Sequence, residues 1–427
     1  MRTYYTADRM ITGGPDAPGA PVRDAGVLVE GGAIVWAGPD RDLPASLRAG
    51  CDRVPLGPRT LLPGLVDAHV HLALDGEPGA MERMRAEHED GILALMFRNA
   101  TALVRTGVTT ARDLGAPGGL ALTVRDAVAA GEATGPSLVV SGPPLTVPDG
   151  HCWFMGGACE GEEELRAAVR DQARRGVDLV KIMVTGGALT DRSALGKEQF
   201  TDAELRAVVT EAARHGLRVA AHAHGTTGIA QAVRAGVHTI EHCSFVSPDG
   251  TVEPDLPLVG LIAAEGIHVC PTVSRRLTER WDGRSPAPLP AVPLLYAAGV
   301  GLIAGTDSGT DGAPHAAFVD GLIGLARLGL PLPEVLHAAT SRAADALGLG
   351  GVTGRLARGL RADLIAVDGD PLTDLEALRA PCLVVARGIE VPPAAGPPDP
   401  PPERADRLVR IVPAARQPNP PPLPRAG

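Results

Sequence analysis

Lysine is almost absent from this chain of 427 residues. Only Lys181 and Lys197 occur among the 40 basic residues, and all the others are arginine. An amine can lose its proton and react, whereas a guanidinium stays charged. Lys181 nevertheless stands within the apolar run from Val177 to Val184, which predicts a buried strand. We therefore expect this lysine to be present for the chemistry of its nitrogen.

Other features are scarce or missing. Aromatic residues make up only 3%, so aliphatic side chains must fill the core. The net charge is −10 and no basic cluster occurs, which argues against a nucleic-acid partner. No apolar run approaches the roughly 18 residues of a membrane span, and none follows the charged N-terminus as in a signal peptide. We expect a cytoplasmic protein with no membrane partner, whose six scattered cysteines are free thiols.

The sequence divides into three parts. Short strands broken by Gly and Pro in residues 1–60 and 355–390 predict a small β-sandwich domain built from both chain ends. Between them, in residues 61–354, apolar strands alternate with helical patterns, which predicts an α/β fold of the TIM (β/α)8 barrel type. Residues 391–427 are rich in Pro and Ala, and we expect a flexible tail there.

Eight barrel strands are predicted from apolar runs. They are Leu65–His69, Val108–Arg112, Leu138–Ser141, Leu179–Met183, Leu217–His222, His238–His242, Ile267–Cys270 and Val300–Gly305. Two helices have clear end signals. One covers Glu162–Arg175 and stops at Gly176, and another begins at the capping box formed by Thr201 and Glu204.

Residues able to bind a metal lie at or near the carboxyl ends of five of these strands. In a TIM barrel, functional groups lie at the carboxyl ends of the strands. His69 and His71 are two residues apart, so on an extended strand both imidazoles face the same side. Imidazole and carboxylate ligands suit zinc or a similar divalent ion. The full set is His69, His71, Lys181, His222, His242 and Asp307.

Six segments resemble the amidohydrolase superfamily, in its prolidase-like and imidazolonepropionase-like subgroup. One is the run from Leu61 to Leu72, with its paired histidines, which resembles the first-strand signature of the superfamily. The others are the runs 180–187, 219–225, 239–243, 304–308 and 354–364. The resemblance extends over about residues 1 to 390.

This resemblance implies a role for each candidate ligand. Lys181 would be carboxylated and would bridge two divalent metal ions, which we expect to be zinc. His69, His71 and Asp307 would hold the first ion, and His222 and His242 the second. Asp307 would also be the catalytic base, taking a proton from a water that bridges the ions and giving it to the leaving group.

The sequence identifies substrate-binding residues less clearly than metal ligands. His151 stands beside Trp153 and Phe154 in a glycine-rich loop, and the resemblance implies that it contacts the substrate carbonyl as a catalytic residue. His224 is expected to orient substrate, with metal binding as the alternative. Arg275, with its neighbour Arg276, could pair with a substrate carboxylate, and His315 is placed similarly after the eighth strand.

The implied activity is hydrolysis of an amide bond in a small molecule, in a dipeptide or an N-acyl amino acid, as in an Xaa-Pro or related dipeptidase. One alternative is a mononuclear heterocycle hydrolase or deaminase of the imidazolonepropionase type, which lacks the strand-4 lysine. Another is a lactonase, esterase or phosphotriesterase on the same two metals. A non-catalytic barrel is the last, but such relatives lose ligands. A homo-oligomer would fit the family, although no sequence feature demonstrates one.

Overall fold

Strands from both ends of the chain share one sheet in the computed structural model. The structure describes residues 2–14, 21–190, 194–247, 249–274, 277, 289 and 291–394. The strands are β1 (Arg2–Met10), β2 (Val22–Glu30), β3 (Ala33–Pro39), β4 (Asp52–Pro55), β5 (Arg59–Pro63), β6 (Leu65–Val70), β7 (Val108–Asp113), β8 (Ser137–Val140), β9 (Leu179–Met183), β10 (Arg218–Gly225), β11 (Thr239–Val246), β12 (His268–Cys270), β13 (Leu364–Asp368), β14 (Leu383–Ala386) and β15 (Ile389–Val391).

Helices follow most of the central strands. They are α1 (Ala45–Arg48), α2 (Ala80–Ala86), α3 (Glu89–Arg105), α4 (Leu120–Ala129), α5 (Gly161–Arg175), α6 (Asp202–Arg214), α7 (Thr226–Ala235), α8 (Leu256–Ala264), α9 (Ala291–Ala297), α10 (Phe318–Arg327), α11 (Leu332–Ala338) and α12 (Ser341–Ala346). The predicted end signals act as expected. Gly176 takes a left-handed conformation (φ 82°) after α5, and the capping box of Thr201 and Glu204 opens α6.

The terminal sheet has eight strands, in the order β15-β14-β13-β5-β1-β2-β3, with β4 paired to β1. The first and last parts of the chain meet where β5 runs antiparallel to β13, with Leu61 opposite Ala366. Val391, assigned to the tail by the sequence, is the last residue of β15 and lies opposite Val384. A second layer is absent from the strand pairings of the described residues, so the expected β-sandwich stays a prediction. From residue 395 onward the tail lies outside the described residues.

The central strands are parallel and form two sheets, β6-β7-β8 and β9-β10-β11-β12. Single parallel bridges extend the pattern beyond these sheets. Ser141 pairs with Leu179 between β8 and β9, and Val269 in β12 pairs with Leu302. Val70 in β6 pairs with Ser308. Together with the helices, these strands place the chain in the α/β class.

The eighth predicted strand differs from expectation. Within Val300–Gly305 only Leu302 forms a bridge, so the segment is not a continuous strand. The reason is that its hydrogen bonds go to three different neighbours. Ile303 N donates to Val269 O (2.9 Å), and Ala304 O accepts from Ala68 N (2.9 Å). The amide of Ala304 instead donates to Ala338 O, in the helix α11.

Aliphatic side chains fill the interior, as the low aromatic content requires. Lys181 is one of the largest fully buried side chains, with 1% of its surface exposed. A buried amine without a partner costs several kcal/mol, so such a position is unusual for lysine. In the described part of the chain, no helix combines the length and the apolar character of a membrane span.

Candidate active site

The strands β6, β9, β10 and β11 bring the predicted metal ligands together. His69 lies in β6 and His71 just after it, and both imidazole Nε2 atoms are 3.2 Å from the same carboxylate oxygen, Oδ1 of Asp307. The backbone amide of Asp307 donates to the carbonyl of His69 (2.9 Å), which fixes the carboxylate against β6. This group forms the first cluster: His69, His71 and Asp307.

Three more imidazoles form the second cluster: His222, His224 and His242. The ring centroids of His222 and His242 are 4.6 Å apart, and one nitrogen from each of the three rings lies within 4.8 Å of the others. The ring of His224 stacks on His242 at 4.4 Å. His242 also has a nitrogen within 4.8 Å of ligand atoms of His69 and Asp307, so it joins the two clusters.

Backbone carbonyls determine which ring nitrogen carries the proton in two histidines. Nδ1 of His71 is 3.2 Å from the carbonyl of Gly115, and Nε2 of His222 is 3.0 Å from the carbonyl of Gly186. A carbonyl only accepts hydrogen bonds, so these nitrogens must donate. The other nitrogen of each neutral ring is therefore an unprotonated lone pair.

The same conclusion holds for two more rings. Nδ1 of His242 is 2.8 Å from the hydroxyl of Thr272, whose own proton goes to the carbonyl of Pro271, so the imidazole donates. Nδ1 of His69 is 3.0 Å from Oε2 of Glu241. Burial would raise the pKa of Glu241, but Arg112, His69 and Lys181 together outweigh burial and lower it, so this carboxylate only accepts.

Lone pairs and a carboxylate thus face one another across the first cluster. With Nδ1 protonated, Nε2 of a neutral His69 or His71 would repel Asp307 Oδ1 at 3.2 Å unless a cation or a second proton lay between them. Burial favours a neutral Asp307, but the charge and hydrogen bonds that the two imidazoles offer when protonated outweigh burial and hold its pKa well below the usual value; Asp307 in turn raises the pKa of His71 against burial. A set of imidazole nitrogens and a carboxylate oxygen fits a zinc-like ion.

Burial keeps the second cluster neutral. It is the largest cause that lowers the pKa of His222 and of His242 well below the ordinary value, and neighbouring imidazoles add to it. The pKa of His224 falls to about 4, again mainly through burial. Neutral imidazoles are the form that binds metals.

Lys181 lies in β9, beside Ala220 of β10. Burial lowers the pKa of its amine, although the negative charges of Glu241 and Asp307 act in the opposite direction. A lowered pKa increases the share of the neutral amine, which is the form that reacts.

Backbone strain is concentrated at this site. His242 (φ 67°), Thr272 (φ 51°) and Asp307 (φ 57°) adopt left-handed conformations that non-glycine residues rarely take. The buried carboxylate of Asp67 accepts bonds from the hydroxyl of Thr306 (2.8 Å) and from its amide (3.3 Å), which holds the backbone just before Asp307. The fold therefore maintains a costly geometry at the positions that carry the candidate ligands.

The structure brings His151 into the same place. Its ring centroid is 4.6 Å from that of His222, and its Nδ1 is 3.2 Å from the hydroxyl of Thr190. A Cβ atom added at Gly187 would lie only 2.3 Å from His151 Nε2, so the ring packs directly on that glycine. Burial lowers the pKa of His151 to about 3, with a smaller contribution from His224.

The remaining predicted contacts have different outcomes. His315 is buried, and burial lowers its pKa to about 4, although a hydrogen bond with the backbone of His71 acts in the opposite direction. Its Nε2 has no hydrogen-bond partner among the described residues. Its role as a substrate contact stays a prediction. Arg275 and Arg276 lie outside the described residues. Trp153 is 38% exposed on the loop that carries His151.

Two residues of the site were missed by sequence reasoning: Glu241 and Arg112. Arg112 Nη2 is 2.8 Å from Glu241 Oε1, and both side chains are buried. The signal was available, because an acidic residue directly before His242 in an apolar strand is unusual. Its partner could not be identified without the fold, because Arg112 comes from a distant strand.

Residues 60–388 match the amidohydrolase family. Ochratoxinase of Aspergillus niger is 29% identical over 399 residues, which cover 85% of this chain and 81% of the fungal protein. Imidazolonepropionase of Cupriavidus pinatubonensis is 28% identical over 426 residues, covering 89% and 92% of the two chains. The crystal structure of an Xaa-Pro dipeptidase with bound methionine superposes with a TM-score of 0.79 at 26% identity, over 92% of this chain and 100% of that one. The chain therefore belongs to the amidohydrolase family, in its prolidase-like and imidazolonepropionase-like subgroup, and is a hydrolase acting on carbon–nitrogen bonds.

Proposed function

We propose that this protein hydrolyses the amide bond of a dipeptide or an N-acyl amino acid with the help of two zinc ions. The observation that carries the proposal is the arrangement of unprotonated imidazole nitrogens beside the partly buried Asp307, together with the buried Lys181. The similarity to an Xaa-Pro dipeptidase supports the choice of substrate class.

His69, His71 and Asp307 would hold the first ion. His222 through Nδ1 and His242 through Nε2 would hold the second, because their other nitrogens donate to Gly186 and Thr272. Lys181 would join the two sets as a carbamate, which requires the neutral amine that burial favours. When bound, the ions would supply Lewis acidity, lowering the pKa of a water and polarising the scissile carbonyl.

Asp307 is suited to moving the proton. Positive charge beside it, from a protonated His71 or from a bound ion, would keep it ionised, so one carboxylate oxygen can accept a proton from the attacking water. The water oxygen then forms a bond to the carbonyl carbon, and the carbon–nitrogen bond breaks. Asp307 returns the proton to the leaving nitrogen, which departs as an amine.

His151 and His224 would bind the substrate. The ring of His151 lies 4.6 Å from that of His222, and the ring of His224 lies 4.7 Å from it, so both imidazoles lie beside His222. A donor from either ring would stabilise negative charge that develops on the carbonyl oxygen. Both are kept neutral by burial, so each can donate through one nitrogen.

We also infer that β6 to β12 close into a TIM barrel with the segment 300–308 in the position of the eighth strand. Support comes from the bridge between Leu302 and Val269 on one side and from that between Ser308 and Val70 on the other. The bridge between Ser141 and Leu179 joins the two parallel sheets. In such a barrel, the candidate ligands share the end where catalytic groups are found.

A mononuclear heterocycle hydrolase is the second candidate. His222, His224 and His242 could hold one ion without any modification of Lys181, since three ligand nitrogens lie within 4.8 Å. The similarity to an imidazolonepropionase supports this alternative. The buried lysine has no purpose in that mechanism, which is why the binuclear site is preferred.

A substrate panel tests the proposal. Zinc-loaded protein would be assayed for amine release from dipeptides, including Xaa-Pro, and from N-acyl amino acids, beside imidazolone, lactone, ester and phosphotriester substrates. We expect turnover of amides to exceed that of the other classes. Turnover confined to heterocycles or esters would contradict the proposal.

Replacing Lys181 by Ala should lower the zinc content and abolish activity together, because no carbamate can then form. The matched control is Lys197→Ala, the other lysine, which is exposed on the loop after β9. Zinc per chain, measured by inductively coupled plasma mass spectrometry, should fall below two in the first variant and stay unchanged in the control. Full zinc content and full activity in Lys181→Ala would exclude the bridging role.

Gly187→Ala should displace His151, because the new Cβ would lie 2.3 Å from its Nε2. We expect kcat/KM to fall by about 10- to 100-fold, since small misplacements of a substrate-binding group are costly, while zinc content stays the same. Gly260→Ala is the control, because a Cβ there meets nothing within 4 Å. An unchanged kcat/KM in Gly187→Ala would argue against a role of His151 in catalysis.

A further inference from the structure

The four histidines proposed as ligands differ in the groups that orient them. Three donate their ring proton to neutral oxygens, and one donates to a carboxylate. His69 Nδ1 is 3.0 Å from Oε2 of Glu241. The neutral acceptors are the carbonyls of Gly115 and Gly186 and the hydroxyl of Thr272.

Glu241 is itself held in place. Its Oε1 accepts from Arg112 Nη2 (2.8 Å) and from the hydroxyl of Thr239 (2.6 Å), and Nη1 of Arg112 also donates to that hydroxyl (3.0 Å). Nε of Arg112 donates to the carbonyl of Ala68 (2.6 Å), the residue before His69. The carboxylate of Glu241 is therefore buried, and the guanidinium of Arg112 balances its charge. Four hydrogen bonds among three strands hold it in position to accept from His69.

This group of residues is not an additional cation site. Ligand atoms of His69, Glu241 and Cys270 do lie within 4.8 Å of one another. However, one Glu241 oxygen is bound to the guanidinium of Arg112 and the other to the Nδ1 proton of His69. A cation there would face the positive charge of Arg112. Glu241 can therefore influence a metal ion only indirectly, through its hydrogen bond with His69.

We propose that Glu241 is a positioning residue that strengthens His69 as a ligand, so that the ion held by His69, His71 and Asp307 binds more tightly than its neighbour. A carboxylate that accepts from one imidazole nitrogen fixes the ring and raises the basicity of the other nitrogen. The second set has neutral imidazoles with neutral acceptors and depends on modification of Lys181. This proposal rests on the binuclear site above.

The order of filling follows from that difference. At limiting zinc, the first cluster fills before the second, and a protein with one ion carries it at His69, His71 and Asp307. Substitutions in the second cluster then leave the tighter binding step intact. The site would thus change from a one-ion to a two-ion form only when the second ion and the modified lysine are both present.

A zinc titration measures the order of filling directly, without any substrate. Metal-free protein would be titrated with zinc in competition with a chromophoric chelator, at fixed bicarbonate. We expect two steps of unequal affinity in the wild type. His222→Ala should retain the tighter step and lose the weaker one, whereas His71→Ala should lose the tighter step.

Glu241→Gln should weaken the tighter step by about 10- to 100-fold, the usual effect of removing the partner of a ligating histidine, and leave the weaker step unchanged. The matched control is Glu211→Gln, since Glu211 is also buried and ion-paired, with Arg214 at 2.9 Å, but lies on α6. Thermal unfolding of the metal-free variants checks that each is folded. Thr239→Val, which removes one hydrogen bond to Glu241 and no charge, should weaken the same step by a smaller factor.

Two results would overturn this inference alone: two normal zinc steps in Glu241→Gln, or equal weakening of both steps. If Glu241→Gln does not fold, Thr239→Val decides, and unchanged steps in that variant would also overturn it. A wild type that binds no zinc at all would overturn the proposed function itself.

Discussion

The site depends on where the ring protons of its histidines go. His69, His71, His222 and His242 each give the proton of one nitrogen to an acceptor outside the clusters, so the other nitrogens turn lone pairs inward. Because these rings are buried and Asp307 is ionised among them, the arrangement is unfavourable unless a positive charge is present. Metal binding would supply that charge, and the backbone strain at His242 and Asp307 shows that the fold maintains the geometry at a cost.

The strands make this arrangement possible. Parallel strands end at one edge, so residues far apart in sequence, such as His69 and His242, come together. The same packing buries Lys181 and so favours its neutral amine. His151, on a loop, and His224, in β10, then lie beside His222. Substrate choice is left to the loops, the part of such folds that varies most.

Much of this was predictable from local patterns. The spacing of His69 and His71 places both rings on one side of a strand, and a lysine within an apolar run indicates a buried amine. The capping box at Thr201 and the stop at Gly176 depend on neighbouring residues only. The bond between Arg112 and Glu241 could not be predicted, because three strands must first be in register. The eighth strand was predicted as continuous, but Ala304 directs its amide to Ala338, a contact that only tertiary packing determines.

The metal content of protein purified without chelators, read beside the electron density at Lys181 in a crystal of the same sample, tests the central claim most directly. The account predicts two zinc-like ions per chain, with a carboxylated lysine between them. One ion held by His222, His224 and His242, beside an unmodified Lys181, would contradict the binuclear site and favour the mononuclear heterocycle hydrolase.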